Sequence, residues 1–371
     1  MTAHAHIVGW GKHVPSHVLT NDALAEMVDT SDEWIRARTG IIERHIAGEE
    51  ESTASMAIEA AHQALETANL SPSQLDLIIV ATATPDHAFP STACLVQDAL
   101  GATRAAAFDL AAGCSGFVYG VSVASGLIAA DQYRNVLVIG AETLSRITDW
   151  SDRATCILFG DGAGAIVLQA NGAEGGILST VLGADGSGND LLCLPGGGSL
   201  HPATHKTVAE GMHYLKMKGR EVFRFAVRVM PAATRQVLEQ AGLTIEDLSL
   251  VIPHQANHRI TESSAKALGV SSETIFSDVE WYGNTSAASI PIALCDAVEQ
   301  GRVGRDDLLV LVGFGAGLTW AAAAIRWSAP LPMAPPSHWT KAWYAVRYRY
   351  AAVRSLLRRF VRWFLALLTK E

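Results

Sequence analysis

With 37 acidic against 28 basic side chains in 371 residues, the chain carries a formal charge of −9, a balance that argues against a nucleic-acid-binding surface. Hydrophobic residues make up 49% and charged residues 18%, enough apolar material for a large core divided among more than one domain-sized unit. The five cysteines, Cys94, Cys114, Cys156, Cys193 and Cys295, are scattered without CxxC or Cys/His spacing, so no metal site is expected.

Met1 to Leu19 has no basic segment leading into a long apolar run. No secretory signal is expected, and the thiols should be free in a reducing cytoplasm. Thr30-Ser-Asp-Glu33 reads as a capping box that opens a helix near Trp34. Helical patterns follow at Ser52 to Asn69, Gly116 to Ala130, Gly219 to Ala241 and Ser286 to Gln300. Between them lie largely apolar runs suited to buried strands: 75–82, 135–140, 248–252 and 308–312. Strands are also expected at Ala105–Asp109 and Thr274–Val279. The alternation predicts a layered α/β fold.

The chain reads as internally duplicated. A strand, a Gly-Cys114-Ser turn, a helix and a strand in the first half are matched by a strand, a Gly-Asn284-Thr turn, a helix and a strand in the second. The expected units are residues 1–172 and 173–327, then a proline-rich linker over 328–337 and a basic amphipathic helix over 338–371.

Cys114 lies among small residues between a strand and a helix. A helix N-terminus favours thiolate over thiol, so a lowered pKa and a nucleophilic role are expected. A cysteine among alanine and glycine fits plain packing equally well. His254, in Pro-His-Gln-Ala-Asn, follows a buried strand, where loop residues often face a site; a structural histidine is the alternative. His258 lies four residues on, without an acidic third ligand, and is not read as a metal partner. Gly283-Asn284 alone is an ordinary turn. Its place opposite Cys114 in the duplication turns it into a donor aimed at a shared cavity. Gly160-Asp-Gly-Ala-Gly164 does not match the dinucleotide pattern, and a tight hairpin is expected there. The turn Gly315-Ala316-Gly317 could offer a backbone N–H to an oxyanion.

Taken together, GCSGF around Cys114, PHQAN around His254 and GNTSAASIPIAL around Asn284 resemble the β-ketoacyl-acyl-carrier-protein synthase III family of the thiolase superfamily. Matches at 30–45, 87–94, 159–165 and 313–320 support the resemblance. It implies a five-layered αβαβα fold of two duplicated halves, a homodimer, and no cofactor beyond coenzyme A thioesters as substrate. The implied reaction joins an acyl-CoA to malonyl-carrier protein with loss of CO2, through an acyl group on Cys114, and starts fatty acid synthesis. His254 and Asn284 would stabilise the enolate. The backbone N–H groups of Cys114 and Ala316 would form the oxyanion hole. The family usually has glycine at the latter position, so alanine serves only if no positive φ is needed. By the same resemblance Trp34, Arg38 and Arg153 would hold CoA, Arg259 the acidic carrier protein, and Phe89 the partner subunit's acyl pocket. Rival readings are a starter condensing enzyme or acyltransferase on the same scaffold, and a non-catalytic scaffold protein anchored to a membrane.

The tail departs from the family. From His338 onward eight Lys/Arg face one acid, a balance of +7, so the residues before it carry −16. Apolar residues recur at helical spacing from Trp339 through Trp343, Val346, Tyr350, Val353, Leu357, Val361 and Phe364 to Leu368, with Arg347, Arg354, Arg358 and Arg362 largely off the stripe. That pattern suits an anionic membrane surface, at the inner face of a membrane, without spanning it. The alternative is a helix docked on the protein itself.

Overall fold

The computed structural model of the chain describes residues 4–329 and 338–368. One sheet contains β1 (His4–His13), β2 (Leu77–Ala81), β3 (Ala106–Leu110), β4 (Asn135–Thr143) and β5 (Asp161–Asn171). Their spatial order is β1-β5-β4-β2-β3. β2 runs parallel to β3 and β4, whereas β5 is antiparallel to β4 and β1. The second sheet contains β6 (Gly176–Ala184), β7 (Leu250–Pro253), β8 (Leu308–Gly315) and β9 (Thr319–Arg326), in the order β7-β8-β9-β6. The principal helices are α1 (Asp32–Thr39), α2 (Thr53–Thr67), α3 (Thr92–Leu100), α4 (Gly116–Ala129), α5 (Gly219–Gln240), α6 (His258–Leu268), α7 (Ser289–Glu299) and α8 (His338–Leu368).

Alternate residues of a strand point to opposite faces, and that alternation builds the layers. Ile79 and Val138 of the first sheet meet Phe117 and Val121 of α4, Ile290 and Leu294 of α7, and Ile252 and Leu311 of the second sheet. Their neighbours Ile78, Val80 and Leu137 turn the other way, onto Met56 and Ala60 of α2 and Val96 of α3. Val251, Val310 and Val312 likewise pack on Phe225 and Val229 of α5 and Ile260 of α6. The result is five layers: α2/α3, sheet, α4/α7, sheet, α5/α6. Each buried aliphatic side chain contributes ~1.5–3 kcal/mol, against ~0–1 kcal/mol for an exposed ion pair. The central helical layer therefore dominates what holds the two sheets together.

Glycine permits one close approach that places the site. A Cβ on Gly140 of β4 would lie 2.1 Å from the carbonyl oxygen of Ala287, so only glycine lets the turn before α7 rest on the sheet. Three expectations need correction. No hairpin forms at 160–164; Asp161 to Gly164 begin β5, and a Cβ on Gly164 would meet Pro291 at 2.7 Å. Residues 274–279 make only an isolated bridge, Val251 with Ile275, rather than a strand. The cap of α1 is Ser31, whose hydroxyl accepts from the Trp34 N–H, and not a box begun by Thr30.

The tail helix α8 docks on the first half along one narrow face. Tyr344 and Ala351 are buried, and the Tyr348 ring stacks on His62 of α2 at 3.7 Å. Ser355 donates to Asp98 of α3 at 2.5 Å, Arg359 pairs with the same carboxylate at 3.1 Å, and Arg354 donates to the Gly101 carbonyl at 3.3 Å. Trp343, Val346, Tyr350, Val353, Leu357 and Val361 instead stand 51–68% exposed. The side chains of Trp339 and Leu368, and residues 330–337 of the linker, lie outside the described residues. Among the described residues no helix is long and apolar enough to cross a membrane.

Candidate active site

The chemistry converges where the two central helices begin. Cys114 occupies the turn Gly113–Ser115 leading into α4, His254 follows the end of β7, and Asn284 precedes the turn 286–288 that leads into α7. All three line one cavity of about 90 Å³, together with Phe159, Val222 and Phe314. Larger clefts open elsewhere on the surface, around Arg235 and around Arg104, but neither reaches these residues.

Each side chain is held in a defined orientation. The Ser289 hydroxyl accepts from the Gln255 N–H and lies in hydrogen-bond contact with His254 Nδ1 at 2.6 Å. With the Ser289 hydroxyl proton directed at Nδ1, the imidazole carries its own proton on Nε2. Burial holds the pKa of His254 down to about 3, so the ring is a neutral donor at any working pH. Phe314 meets it edge-on at 5.2 Å between ring centroids. Asn284 is pinned through its backbone to Leu158 and Gly160, and its Oδ1 accepts from the Ser286 N–H at 2.9 Å. With the oxygen occupied, the amide NH2 is what Asn284 offers to the cavity.

Burial pushes the Cys114 thiol up to about 12; the neighbouring Ser286 hydroxyl opposes this, and the nearby Glu142 adds to it. Burial at the start of α4 thus opposes the thiolate that the helix position favours.

Backbone geometry supports an oxyanion hole. A Cβ on Gly315 would lie 2.5 Å from the Cys114 nitrogen, and one on Gly113 would lie 2.8 Å from the Ala316 nitrogen. The two N–H groups therefore sit side by side only because both neighbours are glycine. Ala316 is absent from the positive-φ positions, which fall on Gly317 and Leu318, so alanine costs the turn nothing.

The outlying residues sort into two groups. Arg38 and Arg153 lie over the Trp34 ring at 4.4 and 4.9 Å from its centroid. Asn257, which lines the cavity, donates to the Arg38 carbonyl at 3.0 Å, tying this cluster to the cavity wall. Arg259, at the start of α6, sits 5.7 Å over Phe223, another wall residue. Phe89 is 87% exposed and does not line the cavity of its own chain. His258 pairs with Glu262 at 3.3 Å, away from the site. Sequence reasoning passed over Glu142, Ser286 and Ser289. The two serines stood inside the GNTSAAS run, and Glu142 was a lone acid closing an apolar strand.

Comparison with known proteins decides the family. Residues 108–186 match the model for 3-oxoacyl-[acyl-carrier-protein (ACP)] synthase III, and 238–327 match its C-terminal counterpart. A β-ketoacyl-[acyl-carrier-protein] synthase III of Symbiobacterium thermophilum is 56% identical over 321 residues, covering 86% of this chain and 97% of that protein. The chain belongs to the β-ketoacyl-acyl-carrier-protein synthase III family. A second relative of that name, from Caldanaerobacter subterraneus subsp. tengcongensis, is 54% identical over 324 residues, covering 87% of this chain and 98% of its own length. The crystal structure of 3-oxoacyl-[acyl-carrier-protein] synthase III from Aquifex aeolicus superposes with a TM-score of 0.81 at 50% identity, over 87% of this chain and all of that one. The priming β-ketosynthase of the R1128 polyketide pathway gives 0.82 at 36% identity, over 90% and 97% of the two chains. The fold is thus the thiolase-like one, and the protein is a condensing acyltransferase.

Proposed function

We propose that the protein joins an acyl-CoA to malonyl-carrier protein, with loss of CO2, to give a 3-oxoacyl-carrier protein at the start of fatty acid synthesis. The observation that carries this reading is the convergence of a thiol, a neutral imidazole and a carboxamide in one largely apolar cavity. Cys114 takes the acyl group from CoA while its own N–H and that of Ala316 hold the tetrahedral oxyanion. The Nε2–H of His254 and the amide of Asn284 then hold the enolate oxygen that forms as malonyl loses CO2. Neither donor carries an acidic proton that would quench the carbanion. Trp34, Arg38 and Arg153 receive the nucleotide end of CoA by stacking and phosphate pairing. Arg259 meets the acidic carrier protein. Phe89 enters the acyl pocket of a second subunit in a homodimer. The catalytic halves are residues 1–172 and 173–327. A purified sample given a panel of acyl-CoAs and malonyl-carrier protein should release CO2 and yield the 3-oxoacyl product by mass spectrometry. Acyl transfer without CO2 release would instead favour a simple acyltransferase.

A cytoplasmic enzyme held peripherally at an anionic membrane is the reading we propose for the tail. Residues 338–368 hold seven Lys/Arg and no acid, and α8 turns its aromatic and aliphatic stripe away from the body to which it is docked. A helix serving stability alone would bury that stripe. Self-pairing through it would bring like charges together, whereas an anionic lipid surface complements them at about 1 kcal/mol per basic residue. The intact chain should therefore sediment with vesicles rich in anionic lipid and not with zwitterionic ones. A chain ending at Trp327 should remain in the supernatant with both. Equal behaviour of the two chains would remove the membrane reading.

A further inference from the structure

The turn that follows Asn284 is gripped by β4 at two points on one face. Gly140 admits the Ala287 carbonyl, and Glu142, two residues on, points the same way. Glu142 is buried to 0% exposure, and the condensation described above gives it no role. Its Oε1 accepts from the Ser286 hydroxyl at 3.0 Å. Its Oε2 accepts from the hydroxyls of Thr84 and Thr82 at 2.5 and 3.2 Å, and the Ala83 N–H reaches Oε2 at 3.1 Å and Oε1 at 3.2 Å. The two threonine oxygens themselves accept from the Thr143 and Thr84 N–H groups, so their own protons are directed at the carboxylate.

We propose that Glu142 is a positioning residue for the enolate site, holding Ser286 and through it the amide of Asn284. The inference rests on Asn284 being a donor to the enolate oxygen. Ser286 sits at a φ of 49°, a left-handed conformation that a residue with a side chain keeps where its surroundings fix it. In that conformation its N–H reaches Asn284 Oδ1 at 2.9 Å. This contact decides which end of the amide faces the cavity. Once Ser286 relaxes, the amide is free to turn its oxygen inward, where it repels the enolate instead of stabilising it. The carboxylate, itself fixed by residues 82–84, is the anchor that prevents the relaxation.

The two carboxylate oxygens are not equivalent, and the difference supplies a selective probe. Oε2 faces Thr82, Thr84 and the Ala83 N–H, whereas Oε1 faces Ser286 and the longer Ala83 contact. A glutamine of the same shape keeps its single oxygen where donors are most numerous and turns its NH2 toward Ser286. The anchor to residues 82–84 then survives while the link to Ser286 is lost. Ser286→Ala removes the same link from the other end and keeps the backbone N–H. Burial raises the Glu142 carboxyl, and hydrogen bonds from Thr84, Ala83, Ser286 and Thr82 oppose this. A surrounding made of donors favours the ionised acceptor that the anchor requires.

The test measures two half-reactions of the full chain: CO2 release from malonyl-carrier protein without acyl-CoA, and acylation of Cys114 by acyl-CoA in single turnover. Glu142→Gln and Ser286→Ala should each slow CO2 release about tenfold, part of the ~10²–10³ that complete loss of one preorganised donor costs, and slow acylation far less. The double variant should be no slower than either single one, because both changes cut the same link. Ser286→Ala carries the test even where the glutamine chain folds poorly. Unchanged CO2 release, an equal loss of both half-reactions, or multiplied losses in the double variant would overturn the proposal and leave Glu142 a structural crosslink. Asn284→Ala is the control for the reading beneath it: if that variant releases CO2 at the full rate, the enolate role of Asn284 falls, and its positioning by Glu142 falls with it.

Discussion

A Cys114→Ala variant is expected to lose condensation entirely yet still release CO2 from malonyl-carrier protein. The two half-reactions draw on different groups in the same cavity. Acyl transfer needs the sulfur, the thiol among the described residues lining that space. Decarboxylation needs donors placed where the enolate oxygen develops, and these come from His254 and Asn284. Alanine keeps the backbone N–H of residue 114 and removes only Sγ, so the enolate site survives. CO2 release measured without acyl-CoA, beside product formation measured with it, separates the halves. Loss of both activities would mean that the imidazole and amide do not form an independent site.

His254→Ala should show the reverse. The variant should still accept an acyl group on Cys114, since no step of loading requires the imidazole to take a proton. A ring whose pKa burial holds near 3 is no base at neutral pH, and its Nδ1 is already occupied by Ser289. Decarboxylation should fall by ~10²–10³, the usual cost of one preorganised donor. In the unsubstituted chain the decarboxylation rate should be flat from about pH 5 to 8, because a group titrating near 3 changes state below that window. A rate that followed an ionisation between pH 6 and 7 would show that His254 is not held neutral.

Much of this was legible in the sequence because the catalytic side chains sit on strand ends and helix starts. A strand running into Gly-Cys114-Ser and another preceding Pro-His254 mark those ends locally. Strands buried on both faces announced a layered α/β fold, while the number of layers came only with the family resemblance. The state of the thiol was not legible, since it depends on how completely segments distant in the chain exclude water around Cys114. The Glu142–Ser286 contact joins residues 144 positions apart and leaves no trace in local spacing. In the tail the periodicity identified a stripe but not its direction. The face that docks is Tyr344, Tyr348, Ala351 and Ser355, a set too mixed in polarity to stand out beside the apolar one.

Intact-protein mass spectrometry after incubation with acyl-CoAs, followed by peptide mapping, reaches the core of the account in one step. The predicted result is a single added acyl group on the peptide that contains Cys114, absent from Cys114→Ala. An adduct on Cys94 or Cys193, or none with any acyl-CoA supplied, would contradict it.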